Sequence, residues 1–379
     1  MPRSGIRITS KLGAPSYPLV QMTVPGLASP ALYILPSGAK KMKAHRKALG
    51  LLVVVCALAL TARILRSQEK SSPSTVQVHM VVTDQALADN TEVPALTPQT
   101  VQVKQGKNVL KVDQLIPAQG ENAALQLFIL VDDTCDPVIG TNLDDIREFV
   151  NSQPATTLVG VAYMSNATIQ ITQNFTADHA LVAKALRLPR GNLSTMDSPY
   201  LSLISLVKSW PQQKVRREVL MVTDGIDRLR GASSAGSQMS SRGLARPAFS
   251  SPSYTMPTIS PDADTASTNS QRYQVIVHSI YAVGVGRVGR NAWEAQLGQS
   301  GIAKIAEETG GEYFALGTQN AVSFKPYLER LQKIFNSQYY LVFQAVPRKN
   351  DGLQRVDIST QVPNVDLASA DSVWVPSGK

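Results

Sequence analysis

Three carboxylates and a hydroxyl close the run Leu127-Phe-Ile-Leu-Val-Asp-Asp-Thr-Cys-Asp136. Side chains of this kind are hard oxygen ligands, the set that Mg²⁺, Mn²⁺ or Ca²⁺ takes. The apolar residues ahead of them have the length and continuity of a strand buried on both faces. A second copy of the pattern stands at Val219-Leu-Met-Val-Thr-Asp-Gly-Ile-Asp227. Carboxylates at the ends of two neighbouring parallel strands lie at the edge where open α/β sheets bind ligands, and there they can share a metal ion. The expected chemistry is metal-dependent binding, and no catalysis is expected.

Enzymatic arrangements fit the same residues less well. Asp132-Asp133 at a strand end is shared with receiver domains, but those need a separate phosphoacceptor Asp after a later strand. Neither Met164 nor its neighbours supply one. A phosphatase nucleophile wants Asp-x-Asp-x-Thr, whereas the order here is Asp132-x-Thr134-x-Asp136. His79, His179 and His278 are scattered, and His278, mid-strand, is expected to be a satisfied core residue. Gly284-Val-Gly286-Arg-Val-Gly289 mimics a phosphate loop, yet Arg287, Arg290 and Trp293 follow in place of a helix start with an acidic partner. Cys135 has no His near it in sequence and is expected to fill a strand-end loop as a small residue. With Cys56 in the amino-terminal apolar run, Cys135 has no internal disulfide partner.

The net charge of +9 is misleading until it is located. Residues 1–66 hold ten of the 37 Lys/Arg and none of the 28 Asp/Glu, which leaves 27 against 28 in the rest of the chain. A nucleic-acid footprint is therefore not expected. The basic cluster Lys40–Lys47 precedes the mostly apolar Ala48–Ala62, a pattern of targeting. Residues 42–66 are expected to be a signal peptide or a membrane anchor, with 48–65 as the anchoring stretch and the body exported. Met42 is a more natural start than Met1, and residues 1–41 are expected to be a disordered extension. Asn166, Asn174 and Asn192 head Asn-x-Ser/Thr sequons, relevant only in a glycosylating host.

The acidic strand ends need a sheet to hold them. Val76–Thr83 alternates as a strand, and Leu96–Val103 and Gln105–Val112 extend this into a small accessory β module over 75–120. From Leu125 strands alternate with helices: helices over 142–152, 177–186, 199–210, 302–309 and 325–336, and strands over 218–223, 274–283 and 312–316. Thr157–Met164 and Thr168–Thr172 flank a Ser165-Asn166 turn, an antiparallel hairpin at the sheet edge. The fold expected is α/β: a doubly wound, mostly parallel sheet flanked by helices, spanning 124–338. Residues 229–271 are rich in Ser, Ala, Pro and Gly and form an expected irregular insertion beside Asp224. Strands over 339–345 and 354–360 make a C-terminal β extension, 339–379.

Three motifs resemble those of von Willebrand factor A-type (VWA) domains, as in integrin inserted domains. They are Asp132-x-Thr134-x-Asp136, Thr223-Asp-Gly-x-Asp227, and Ala306-Glu-Glu-Thr-Gly-Gly-Glu-Tyr-Phe314 with Phe324–Tyr340 after it. Val82-Thr-Asp84 and Leu96-Thr-Pro98 ahead of them are also similar to an exported acidobacterial VWA-related group, so the resemblance covers roughly residues 75–375.

The resemblance implies a metal-ion-dependent adhesion site. In it Mg²⁺ or Mn²⁺ sits among three loops and the Asp or Glu of a protein partner completes the octahedron. By that analogy Asp132 reaches the ion through water, Thr134 directly, and Asp224 through water or directly. Thr195 or Ser198 supplies the middle-loop hydroxyl, with Asp197 able to substitute. Asp136 stands where the family has a second Ser. The added carboxylate weakens capture of an acidic partner and favours a larger ion such as Ca²⁺. The alternative is a metal-free structural or assembly protein, with Asp136 merely capping a helix.

Overall fold

The computed structural model describes residues 75–211, 213, 215–229, 259–285 and 292–378. The expected extension 1–41, the expected signal peptide or anchor 42–66 with its apolar stretch, residues 230–258 of the expected insertion and residues 286–291 of the glycine-arginine segment lie outside the described residues. Among the described residues no helix is long and apolar enough to cross a membrane.

In chain order the strands are β1 (Val76–Asp84), β2 (Val101–Gln105), β3 (Asn108–Leu110), β4 (Val112–Pro117), β5 (Leu125–Asp132), β6 (Thr157–Ser165), β7 (Thr168–Thr176), β8 (Arg216–Thr223), β9 (Val275–Tyr281), β10 (Tyr313–Phe314), β11 (Gln338–Ala345), β12 (Gly352–Arg355), β13 (Asp357–Thr360), β14 (Leu367–Ser369) and β15 (Ser372–Val375). The helices are α1 (Gln85–Ala88), α2 (Gly140–Asn151), α3 (His179–Ala185), α4 (Pro199–Ser209), α5 (Pro261–Arg272), α6 (Ala292–Thr309) and α7 (Lys325–Asn336).

The central sheet has the order β10-β9-β8-β5-β6-β7 and is parallel except for the β6–β7 pair. Counted along this layer the order is 3-2-1-4-5-6, the doubly wound arrangement whose switch point lies between its first and fourth strands, here β5 and β8. Every residue of β5 and β8 is buried, because helices cover both faces. Alternation along β5 sends Leu127, Ile129 and Val131 toward α2, α3 and α7, and Phe128 and Leu130 toward α4, α5 and α6. The expected edge hairpin forms, with Asn166 and Ala167 at φ 50 and 56° in its two-residue turn.

Three expectations need correction. The segment 229–271 is not irregular throughout: Pro261–Arg272 is the helix α5, started by the Ser260 hydroxyl, Pro261 at the first turn, and Asp262 and Asp264. Its inward face is Ala263, Ala266, Ser267 and Ser270, too small to give an apolar period yet suited to close packing against its neighbours. The accessory module and the C-terminal extension are also not separate pieces. β1 pairs along its length with β11 and at its end with β14, β11 pairs with β4, and β13 pairs with β2. Together they enclose a third core, in which Val78, Met80 and Val82 meet Leu341, Phe343 and Ala345. Gln354–Thr360, expected as one strand, breaks at Val356 into β12 and β13, which join different sheets.

Candidate functional site

Asp132 is the last residue of β5, is 3% exposed, and turns its carboxylate to Thr223 of β8 across the switch point. Oδ1 accepts from the Thr134 amide (2.9 Å) and hydroxyl (2.8 Å), and Oδ2 accepts from the Thr223 hydroxyl at 2.6 Å. Thr223 in turn accepts from Gly225 N. Burial and then the nearby Asp224 charge push Asp132 up to about 6, against the pull of Arg228 and of the Thr223 and Thr134 hydrogen bonds.

Asp224 follows β8 and is fully buried. Its Oδ1 accepts from Ile226 N at 2.9 Å, while Oδ2 is paired with Arg228 Nη2 at 2.5 Å. Arg228 Nη1 also donates to Ile226 O at 3.3 Å. Burial works against the Arg228 charge, but Asp224 and Asp132 outweigh it and raise the guanidinium further. The tight turn depends on Gly225 at φ +69°, where a Cβ would run into the Gly298 carbonyl of α6. The Tyr200 hydroxyl fixes the same peptide by donating to Gly225 O.

The loop after β5 is stitched to the segment that follows β9. Asp136 N donates to Val283 O, Val285 N donates to Thr134 O, and Cys135 bridges Gly284. Cys135 is buried with its sulfur 3.8 Å from Val222 O, and burial, then Asp132 and Asp224, push its thiol well above the usual range. Asp133 points into a different network. It takes a two-pronged contact from Arg187 at 2.6 and 2.8 Å and accepts from Arg190 N, and the Arg187 guanidinium lies over the Tyr163 ring. Burial alone would raise Asp133, but these partners outweigh it and hold the carboxyl below its ordinary value.

The structure thus brings together Asp132, Thr134 and Asp224. It sends the remaining expected ligands elsewhere. Asp136 is half-buried and caps a short 3-10 turn by accepting from Val138 N. Ser198 caps α4 through Leu201 N, and Thr195 is exposed. Asp197 accepts from Asn166 N and Ser194 N, tying the middle loop to the β6–β7 turn. Among the described residues no group of three or more His, Cys, Asp or Glu is disposed to hold a metal ion. The donor set does not fit an octahedral Mg²⁺ or Mn²⁺: Asp224 is committed to Arg228, and Asp132 is engaged on both oxygens.

Two participants were missed by sequence reading. Thr223 was seen only as part of a motif, although a β-strand hydroxyl one residue before Asp224 was available as a signal. Arg228 carried a plainer one, a cation four residues beyond Asp224 on the same loop. His278 is satisfied as expected: Nε2 meets Glu218 Oε2 at 2.8 Å and Nδ1 accepts from Glu312 N, which assigns the neutral tautomer.

No protein-family model matches the sequence, and no curated protein matches it. Solved structures similar to this one include an aerotolerance-related membrane protein from Bacteroides fragilis bearing multiple mutations to serine. That likeness has 12% identity and a TM-score of 0.37, and it covers 56% of this chain and 99% of that one. The SpRpn10 VWA domain is similar at 10% identity and TM-score 0.31, over 55% of this chain and 92% of that one. A von Willebrand factor type A protein from Catenulispora acidiphila is similar at 8% identity and TM-score 0.33, over 82% and 76% of the two chains.

Proposed function

We propose that this chain is an exported VWA-type protein-interaction module that docks its partner on the loops at the carboxyl ends of the parallel strands. The observation that carries the reading is an apolar rim. Of the eleven large hydrophobic residues that are exposed among the described residues, five lie on three loops around the switch point: Val138, Leu188, Leu193, Met196 and Leu229. Single exposed apolar residues are ordinary, whereas a group on adjoining loops marks an interaction surface. The loops adjoin through the Gly191 N bond to Asp133 O and the Leu229 N bond to Asp197 O.

Export is supported by the basic cluster and apolar run at 40–62 and by the near-neutral remainder of the chain. The reading includes no catalytic step, in keeping with a Cys135 thiol that is buried and a His278 ring committed to Glu218. A contact through a metal shared with a partner's carboxylate is the less favoured reading, because the donor set is already engaged.

The test is site-specific photocrosslinking in the producing cells. A photoreactive residue at Met196 is expected to give a discrete protein adduct that Leu188→Asp abolishes. The same probe at Val109, 64% exposed on the β layer, is expected to give none. Adducts at both positions alike, or at Val109 alone, would move the docking surface away from these loops.

A further inference from the structure

A guanidinium is sealed into the switch point beside two carboxylates. The Arg228 side chain is 8% exposed and its partner Asp224 is 0% exposed. The backbone delivers it there, since Arg228 N and Leu229 N both donate to Asp197 O, at 2.8 and 2.9 Å. Gly284 closes the far side, where a Cβ would overlap Asp224 Oδ2 and approach Arg228 Nη2 to 2.9 Å. Arg228 Nε is buried and has no hydrogen-bond partner. Hydrogen bonding alone gives a poor return for desolvating this group, so charge must hold it.

The two carboxylates need about two positive charges or their equivalent. Arg228 supplies one, against Asp224, and three donors, the Thr134 amide, the Thr134 hydroxyl and the Thr223 hydroxyl, disperse the charge of Asp132. We propose that Arg228 is the resident cation of this site, acting on Asp132 and Asp224 in place of a divalent ion and excluding such an ion from the wild-type chain. Removing the guanidinium leaves Asp132, Thr134 and Asp224 as oxygen ligands without a counter-charge, the condition in which a hard divalent cation binds. The inference stands apart from the docking reading, since uptake of a metal needs no partner.

The experiment titrates Mn²⁺ alone into the full chain in mild detergent and follows free Mn²⁺ by electron paramagnetic resonance. The proteins are wild type, Asp224→Asn, Arg228→Ala, Arg228→Gln, and Arg228→Gln combined with Asp224→Asn. Arg228→Gln keeps much of the side chain's length and an N–H toward Asp224, which guards against a variant that fails to fold. The wild type is expected to leave the Mn²⁺ signal unchanged. The folded single variants gain saturable binding, at least about tenfold tighter than any wild-type uptake, and the double variant loses it again. Saturable wild-type binding that Asp224→Asn abolishes would overturn the proposal. So would folded single variants that take up no more Mn²⁺ than the wild type.

Discussion

Gly284 packs so closely on Asp224 that a Cβ at position 284 would stand 2.2 Å from Asp224 Oδ2. The Cβ of an alanine there would fall on the carboxylate oxygen that holds Arg228. Gly284→Ala is therefore expected to destabilise the fold by about 1–3 kcal/mol, the usual cost of overpacking a filled interior. Urea unfolding would register it as a lower midpoint with an unchanged slope.

The buried Asp132 carboxyl makes stability depend on pH. Its ordinary value is 3.8 and in the folded chain it is pushed up to about 6, so the folded state favours the protonated form. The resulting stabilisation is complete below about pH 3.8 and is lost as pH rises through about 6. Two pH units correspond to about 3 kcal/mol. Asp132→Asn keeps an acceptor for Thr134 and removes the titration, and Thr223 Oγ1 can accept from the new amide. Unfolding free energies of variant and wild type, measured across this range, are expected to diverge in the variant's favour as pH rises. Parallel curves would show that Asp132 titrates as an ordinary carboxyl.

Asp133 and Arg187 form the clamp that sets the start of the middle loop. Asp133→Asn removes one charge from a two-pronged contact and is expected to cost about 1.5–3 kcal/mol, the range for hydrogen bonds to charged groups. The loop 187–197 should exchange its amide hydrogens faster, while β5 and β8 keep their protection. Faster exchange throughout the sheet would mean instead that Asp133 supports the whole layer.

Ala266, fully buried, lies on the inward face of α5. Ala266→Leu is expected to cost about 1–3 kcal/mol, because the larger side chain has no room on this face. A neutral effect in thermal unfolding would indicate slack between α5 and its neighbouring helices.

The layer alternation, the edge hairpin and the two acidic strand ends were legible because each rests on a local pattern. Leu127–Val131 in β5 and Val219–Val222 in β8 are unbroken apolar runs, and Ser165–Asn166 sits between two segments rich in strand-forming residues. α5 was hidden because Ala263, Ala266, Ser267 and Ser270 carry no hydrophobic period, and only the Ser260-Pro-Asp262 start marked it. The pairing of β1 with β11 was invisible for another reason: strand partners distant in sequence leave no local signature. At the site, sequence placed Asp132, Thr134 and Asp224 together. It missed Arg228, because a cation four residues away is commonly a surface charge until burial is known.

The pairing of β1 with β11, β14 and their neighbours has a kinetic meaning. Val76 meets Ala345, and Thr83 meets Ala368, so the earliest strand of the described chain waits for some of the latest. Contacts this distant in sequence carry the loop-closure cost that slows folding. While β1 emerges from the ribosome its hydrogen-bonding edges have no partner, and the β layer cannot be completed until β11 and β14 have been made. The central sheet, complete once β10 has been made, needs none of these late strands, so the β layer is the last part of the described chain to close.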